Sequence, residues 1–122
     1  MVEGKEVGGP QKTPLSFYCA PSGAQPVLEW LKSLPADERK EIGRDLMRAQ
    51  WRWPVGMPLC RSMGGGLWEV RSNLPSARIA RVLFCVEDGE LVALHGFIKK
   101  TEKTPDAELK LARKRMKEVK RS

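Results

Sequence analysis

Residues 67–100 read LWEVRSNLPSARIARVLFCVEDGELVALHGFIKK, and this stretch decides the fold. Three runs rich in β-branched and aromatic residues, about 67–73, 78–86 and 91–99, are separated by two turn candidates, which predicts three consecutive antiparallel strands. The Asp88 and Gly89 pair is a strong two-residue hairpin signal. With that turn Glu87 faces Glu90, Arg81 faces Gly96, Val82 faces His95 and Phe84 faces Ala93. Alternation then puts Ala80, Val82, Phe84, His95 and Phe97 on one face and Arg81, Leu83, Gly96 and Lys100 on the other. The LPSA link at 74–77 has no single turn signature. An even loop would carry Glu69 and Arg71 into the layer of Val82 and His95. An odd loop pairs Arg71 with Arg81 and brings Trp68 and Val70 beside Phe84 and Val82. Burying unpaired charge is the costlier outcome, so the odd loop is predicted. One face becomes a Trp/Val/Phe core; the other gathers Glu69, Arg71, Arg81 and Lys100, with Gly96 leaving open space across from Arg81.

Upstream of these strands, 54–66 (PVGMPLCRSMGGG) reads as a loop. Before it, Ile42, Leu46, Ala49 and Trp53 form the stripe of a helix over about 36–52. Val27, Leu28, Leu31 and Leu34 stripe a shorter helix before Pro35, and the two make a helical hairpin. The apolar run 15–20 suits a first strand, and the Gly-, Lys- and Pro-rich residues 1–14 a flexible extension. Downstream, TPD at 104–106 starts a helix with Thr104 as cap and Pro105 in the first turn. Leu109, Ala112, Met116 and Val119 form its stripe. The expected order is β-α-α-β-β-β-α: a single α+β domain over 15–122, with a mostly antiparallel sheet, a helical hairpin and a C-terminal helix.

The chain has 122 residues and a formal net charge of +7, which points to an anionic partner, nucleic acid first. Residues 70–122 carry thirteen Lys/Arg against seven Asp/Glu, so the excess is C-terminal. A solvated lysine-rich helix and a binding face both fit that distribution. Three cysteines and one histidine share no metal-ligand spacing, so neither a metal nor a cofactor is expected. The cysteines, Cys19, Cys60 and Cys85, read as buried small hydrophobes in a reducing cytosol. No apolar run reaches the length of a membrane span, and a soluble cytoplasmic protein is expected.

LWEVRS (67–72), RIARVLF (78–84) and LHGFIKKTEKTP (94–105) resemble the phage-derived, HigB-like toxins of the RelE/ParE superfamily, as does the order of elements. The resemblance covers about residues 15–118. It implies a ribosome-dependent messenger-RNA endoribonuclease neutralised by a helix-turn-helix antitoxin. It also implies that basic residues of the strands and of the segment after the last strand grip the scissile phosphate. Arg71, Arg81 and Lys100 match these positions, with Arg78, Lys99 and Lys103 as further RNA-binding positions. Many relatives place a tyrosine or histidine near this site; here the corresponding stretch holds Thr104 and Pro105, and the only tyrosine, Tyr18, lies in the first strand.

The implied reaction is metal-independent attack of a 2′-hydroxyl on the adjacent phosphorus. Arg81, assisted by Arg71, would stabilise charge developing on the phosphoryl oxygens. Lys100 would bind the phosphate or protonate the leaving oxygen. Glu69 is either a general base or a partner holding Arg71. His95, on the apolar face, reads as a core residue. One rival is a gyrase inhibitor of the ParE type, the same scaffold acting by binding, against which the clustered Arg71 and Arg81 favour the ribonuclease. The other is a non-catalytic RNA-binding module, which would keep the charge and salt dependence but give no cut product.

Overall fold

The computed structural model describes residues 11–99 and 103–121, so Lys100 lies outside the described residues. Its elements are β1 (Leu15–Phe17), α1 (Pro26–Ser33), α2 (Ala36–Arg52), β2 (Cys60–Gly64), β3 (Leu67–Asn73), β4 (Ile79–Glu87), β5 (Glu90–Lys99) and α3 (Asp106–Arg121). They form an α+β domain on a five-stranded sheet of order β1-β5-β4-β3-β2. Only the β1–β5 pairing is parallel. Residues 1–10 of the expected extension lie outside the described residues. Thr13 and Pro14 are bonded into the fold: Thr13 N–H donates to Gln50 O at 2.8 Å, and Leu91 N–H to Pro14 O at 2.9 Å.

The helical hairpin forms where its residues allow. Pro26 opens α1, where a missing N–H costs nothing, and Pro35 forces Leu34 into extended backbone that ends it. Asp37 and Glu38 sit in the first turn of α2 and Arg52 in its last, each favourably placed for the helix dipole. Pro54 likewise holds Trp53 extended and ends α2. The stripe Val27, Leu31, Ile42, Leu46 and Ala49 packs with Val70, Ala80, Val82 and Phe84 on one face of the sheet. Trp53 meets Trp68 and Phe84 edge-on, at 5.0 and 5.3 Å between ring centroids. The other face is no open surface: α3 covers it, burying Leu67, Leu83, Cys85, Val92, Leu94 and Phe97 against Ala112 and Met116.

The structure departs from the sequence reading in two ways. Residues 60–64, expected within a loop, form an edge strand pairing Cys60 with Val70, Arg61 with Glu69 and Ser62 with Trp68. Gly64, Gly65 and Gly66 all take positive φ, so the glycine run is the turn of a β2–β3 hairpin. The second departure lies in β5. Ala93 faces Phe84 as expected, but Leu94 is an extra residue, and beyond it His95 faces Leu83, Gly96 faces Val82 and Phe97 faces Arg81. This bulge flips the remainder of the strand. His95 and Phe97 therefore lie on the α3 face with Arg81. Gly96 turns to the helical hairpin, where the Trp30 ring fills the space: an added Cβ would stand 2.3 Å from Trp30 Cζ3. Gly96 leaves no gap beside Arg81.

Candidate functional site

The odd loop is present. Arg71 pairs with Arg81, Val70 with Val82 and Trp68 with Phe84, around a turn in which Leu74 and Arg78 close a backbone hydrogen bond of 2.9 Å. Three rows therefore cross the α3 face: Glu69–Leu83–His95, then Arg71–Arg81–Phe97, then Asn73–Ile79–Lys99. Basic charge concentrates in the second and third rows, which hold Arg71, Arg81 and Lys99.

Arg81 is fully buried at 0% exposure, and so is Glu69 at 1%. Arg81 Nη1 donates to Glu69 Oε1 at 2.9 Å, and the buried Thr104 hydroxyl donates to Glu69 Oε2. With both oxygens engaged and no solvent access, Glu69 is not placed to take a proton from a substrate. It is a partner, holding Arg81 and Thr104, two residues before α3. The network has a positional consequence. Lys99 closes β5 in the row next to Arg71 and Arg81, and Thr104 is held to Glu69, so both of these described residues stand on the sheet face that carries Arg71. Arg71 is half-buried, Lys99 half-buried and Lys103 exposed.

Arg78 is elsewhere. It lies on the helical-hairpin side, where it forms an ion pair with Glu38 of α2 and its Nε donates to Ser76 at 2.9 Å. Its charge is matched, and it is not gathered with Arg71. His95, turned by the bulge, stacks on Phe97 at 5.6 Å and 25° between rings, with Nε2 2.6 Å from Glu108 Oε1. That contact ties β5 to the first turns of α3. A period-two reading missed it because the bulge has no signature in a strand that is apolar on both faces.

Much of the C-terminal charge is structural. Arg113 donates to the Met63 and Gly64 carbonyls at 2.9 and 3.1 Å, clasping the glycine turn. Arg115 donates to Leu94 O at 2.8 Å and lies over the Tyr18 ring. Lys120 bonds Glu87 at 2.9 Å, and that hydrogen bond raises the ammonium above the usual lysine range. Tyr18 donates to Glu118, whose hydrogen bond is the main cause of a raised phenol pKa, with burial adding to it.

Among the described residues, two of the concavities lie at opposite ends of the strands. One, of about 400 Å³, lies by the Asp88 turn and is lined by Glu87, Asp88, Glu90 and Glu118, the wrong sign for a phosphate. The other, of about 630 Å³, lies at the opposite end of the strands, between α2 and the loop 55–59, and is lined by Arg48, Arg52, Arg71 and Asn73 among others. Among the described residues no helix is long and apolar enough to cross a membrane.

No curated protein matches the chain. A family model, described as phage derived protein Gp49-like (DUF891), matches residues 29–117, from α1 through most of α3. This range holds most of the helical hairpin, four of the five strands and the whole Glu69–Arg81–Thr104 network. The chain belongs to that Gp49-like family, a RelE/ParE-like toxin family.

Proposed function

We propose that the protein is a HigB-like toxin that cleaves messenger RNA on the translating ribosome without a metal ion, in the cytoplasm, and is neutralised by a helix-turn-helix antitoxin. The observation that supports this reading is the Thr104–Glu69–Arg81 network, which holds Thr104 on the sheet face that carries Arg71, with Lys99 in the neighbouring row. Arg71, Lys99 and Lys103 then present cationic donors to one stretch of RNA backbone, and the family resemblance adds Lys100. Arg81 acts through Glu69, as a positioning residue. The 2′-oxygen bonds to phosphorus as the P–O5′ bond breaks, giving a cyclic phosphate and a 5′-hydroxyl. The 2′-hydroxyl proton leaves and the 5′-oxygen gains one. Fixed cations stabilise the charge that grows on the phosphoryl oxygens. With Glu69 occupied, the orientation supplied by the ribosome carries much of the rate.

The burial of Arg81 favours a second reading, RNA binding without cleavage, since a sealed guanidinium cannot follow a developing charge. Mapping messenger 5′ ends after expression of the chain separates the two. New ends within translated codons, lost in Arg71→Ala, support the nuclease. Growth arrest without new ends overturns it, and inhibition of DNA gyrase supercoiling in vitro would point to the ParE-type activity instead.

A further inference from the structure

We propose that the outer face of α3 binds the phosphate backbone of double-stranded RNA, and that it holds the protein on the paired RNA of the ribosome. The helix carries seven Lys/Arg, and they divide into two groups. Three are engaged by the body of the protein: Arg113 on the Met63 and Gly64 carbonyls, Arg115 on the Leu94 carbonyl and Lys120 on Glu87. The other four, Lys110, Lys114, Lys117 and Arg121, are exposed and make no hydrogen bond or ion pair among the described residues. Their spacing in the helix places them within an arc of about 60° on one side and spreads them over roughly 16 Å.

The acids of the helix do not neutralise this row. Glu108 is bonded to His95 and Glu118 to Tyr18, each turned to the body of the protein. Asp106 is exposed in the first turn, where it suits the helix dipole. A helix face that is merely solvated intersperses acids with its lysines. Here Lys110 stands one turn from Lys114, and Lys117 one turn from Arg121, and like charges at that spacing destabilise the helix that carries them. A polyanion laid along the row relieves the repulsion.

The side chains around the row select the partner. No exposed residue of α3 is aromatic, and Ala107 is the one apolar residue among them. Unpaired RNA is bound by stacking its bases on aromatic rings, a membrane surface by burying an apolar helix face, and a protein partner through apolar or aromatic anchors. This side of α3 offers none of these, because the apolar stripe with Ala112 and Met116 is buried against the sheet. A row of cations on a rigid rod meets phosphates without reading sequence, which suits the backbone of an RNA duplex.

The row also lies apart from the cleavage site. The start of α3 is tied near Glu69 through Thr104, and its far end reaches Glu87 beside the Asp88 turn. A duplex on α3 and a messenger at Arg71 and Lys99 therefore occupy different surfaces. The part this face plays in cleavage rests on the RNA-cleavage reading above; its affinity for duplex RNA does not.

The probe is a fully paired RNA of about 20 base pairs, titrated with the full-length protein over a range of salt. Lys114→Ala with Lys117→Ala should weaken binding about tenfold or more and lower the slope of log affinity against log salt by about two. Lys32→Ala with Lys40→Ala removes the same charge from exposed positions of the helical hairpin and should change affinity by less than about twofold. The α3 variant should keep the wild-type unfolding temperature and sediment less with ribosomes. An equal loss in the two double variants overturns the proposal. So does a loss that falls on the unpaired strand, or on phosphatidylserine vesicles, and spares the duplex. Undiminished sedimentation with ribosomes overturns the ribosomal assignment. If the duplex is bound through α3 but the wild-type chain cuts no messenger, the α3 face stands and the nuclease reading falls. If messenger is cut and the α3 variant binds duplex like the wild type, the nuclease reading stands and this proposal falls.

Discussion

Arg81 and Glu69 form an ion pair, 2.9 Å long, in which neither side chain reaches solvent. Removing one partner of such a pair strands a charge in the interior, which typically costs about 3–5 kcal/mol. Arg81→Ala and Glu69→Ala should each lose stability on that scale in urea unfolding. A double replacement, Arg81→Met with Glu69→Leu, should recover much of the loss. An Arg81→Ala protein that unfolds at the wild-type urea concentration would show that the pair is not buried in solution.

Arg71 is expected to behave differently. It is half-buried and sits at the margin of the sheet, so Arg71→Ala should shift stability by roughly 1 kcal/mol or less. If it holds the scissile phosphate, messenger cleavage should fall about 100- to 1,000-fold. Parallel unfolding and primer-extension measurements check both. Equal cleavage by the folded variant would remove Arg71 from the site.

Gly96 offers a direct test of the bulge. A methyl group there would stand 2.3 Å from the Trp30 ring, so Gly96→Ala should destabilise by about 1–3 kcal/mol. Pairing it with Trp30→Leu should recover part of that loss, because the smaller side chain vacates the space. Were Gly96 instead facing open space beside Arg81, alanine would be tolerated and the second change would restore nothing.

The buried thiols predict an alkaline limit. Burial pushes Cys60 from the usual 9.0 up to about 11, and burial likewise raises Cys85. A folded-state pKa above the unfolded value gives stability that is complete below about pH 9 and declines as pH rises toward 11, because only the unfolded chain gains by ionising. For Cys60 this is on the order of 3 kcal/mol. Unfolding scans from pH 7 to pH 11 should show the decline, and Cys60→Ala should flatten it. In the native protein at pH 8, iodoacetamide should label the exposed Cys19 and spare Cys60 and Cys85.

Much of this fold is legible from local chemistry. Pro35 and Pro54 mark helix ends, and the Asp88–Gly89 turn sets one hairpin. The cost of burying Glu69 and Arg71 among Val82 and Phe84 selects the register of another, so Arg71 stands opposite Arg81 as expected. The strand at 60–64 is less visible, being short and polar along its exposed edge, although the three glycines after it mark the turn that folds it onto β3.

What the sequence determined by itself is the order of elements apart from β2, and the β3–β4 pairing, because propensity, turn chemistry and the penalty on buried charge all act over a few residues. The tertiary structure alone decided the faces of β5 and the fate of the charged row. Residues 91–98 are apolar or small on both sides of the strand apart from His95, so alternation is silent about a bulge at Leu94. The bulge follows from packing, with Leu94 and Phe97 filled in under α3 while Gly96 admits Trp30 from the opposite layer. Likewise nothing local to Arg81 says whether it faces solvent or Glu69. That depends on α3 closing over the sheet, with Thr104 bringing the start of the helix to the same carboxylate.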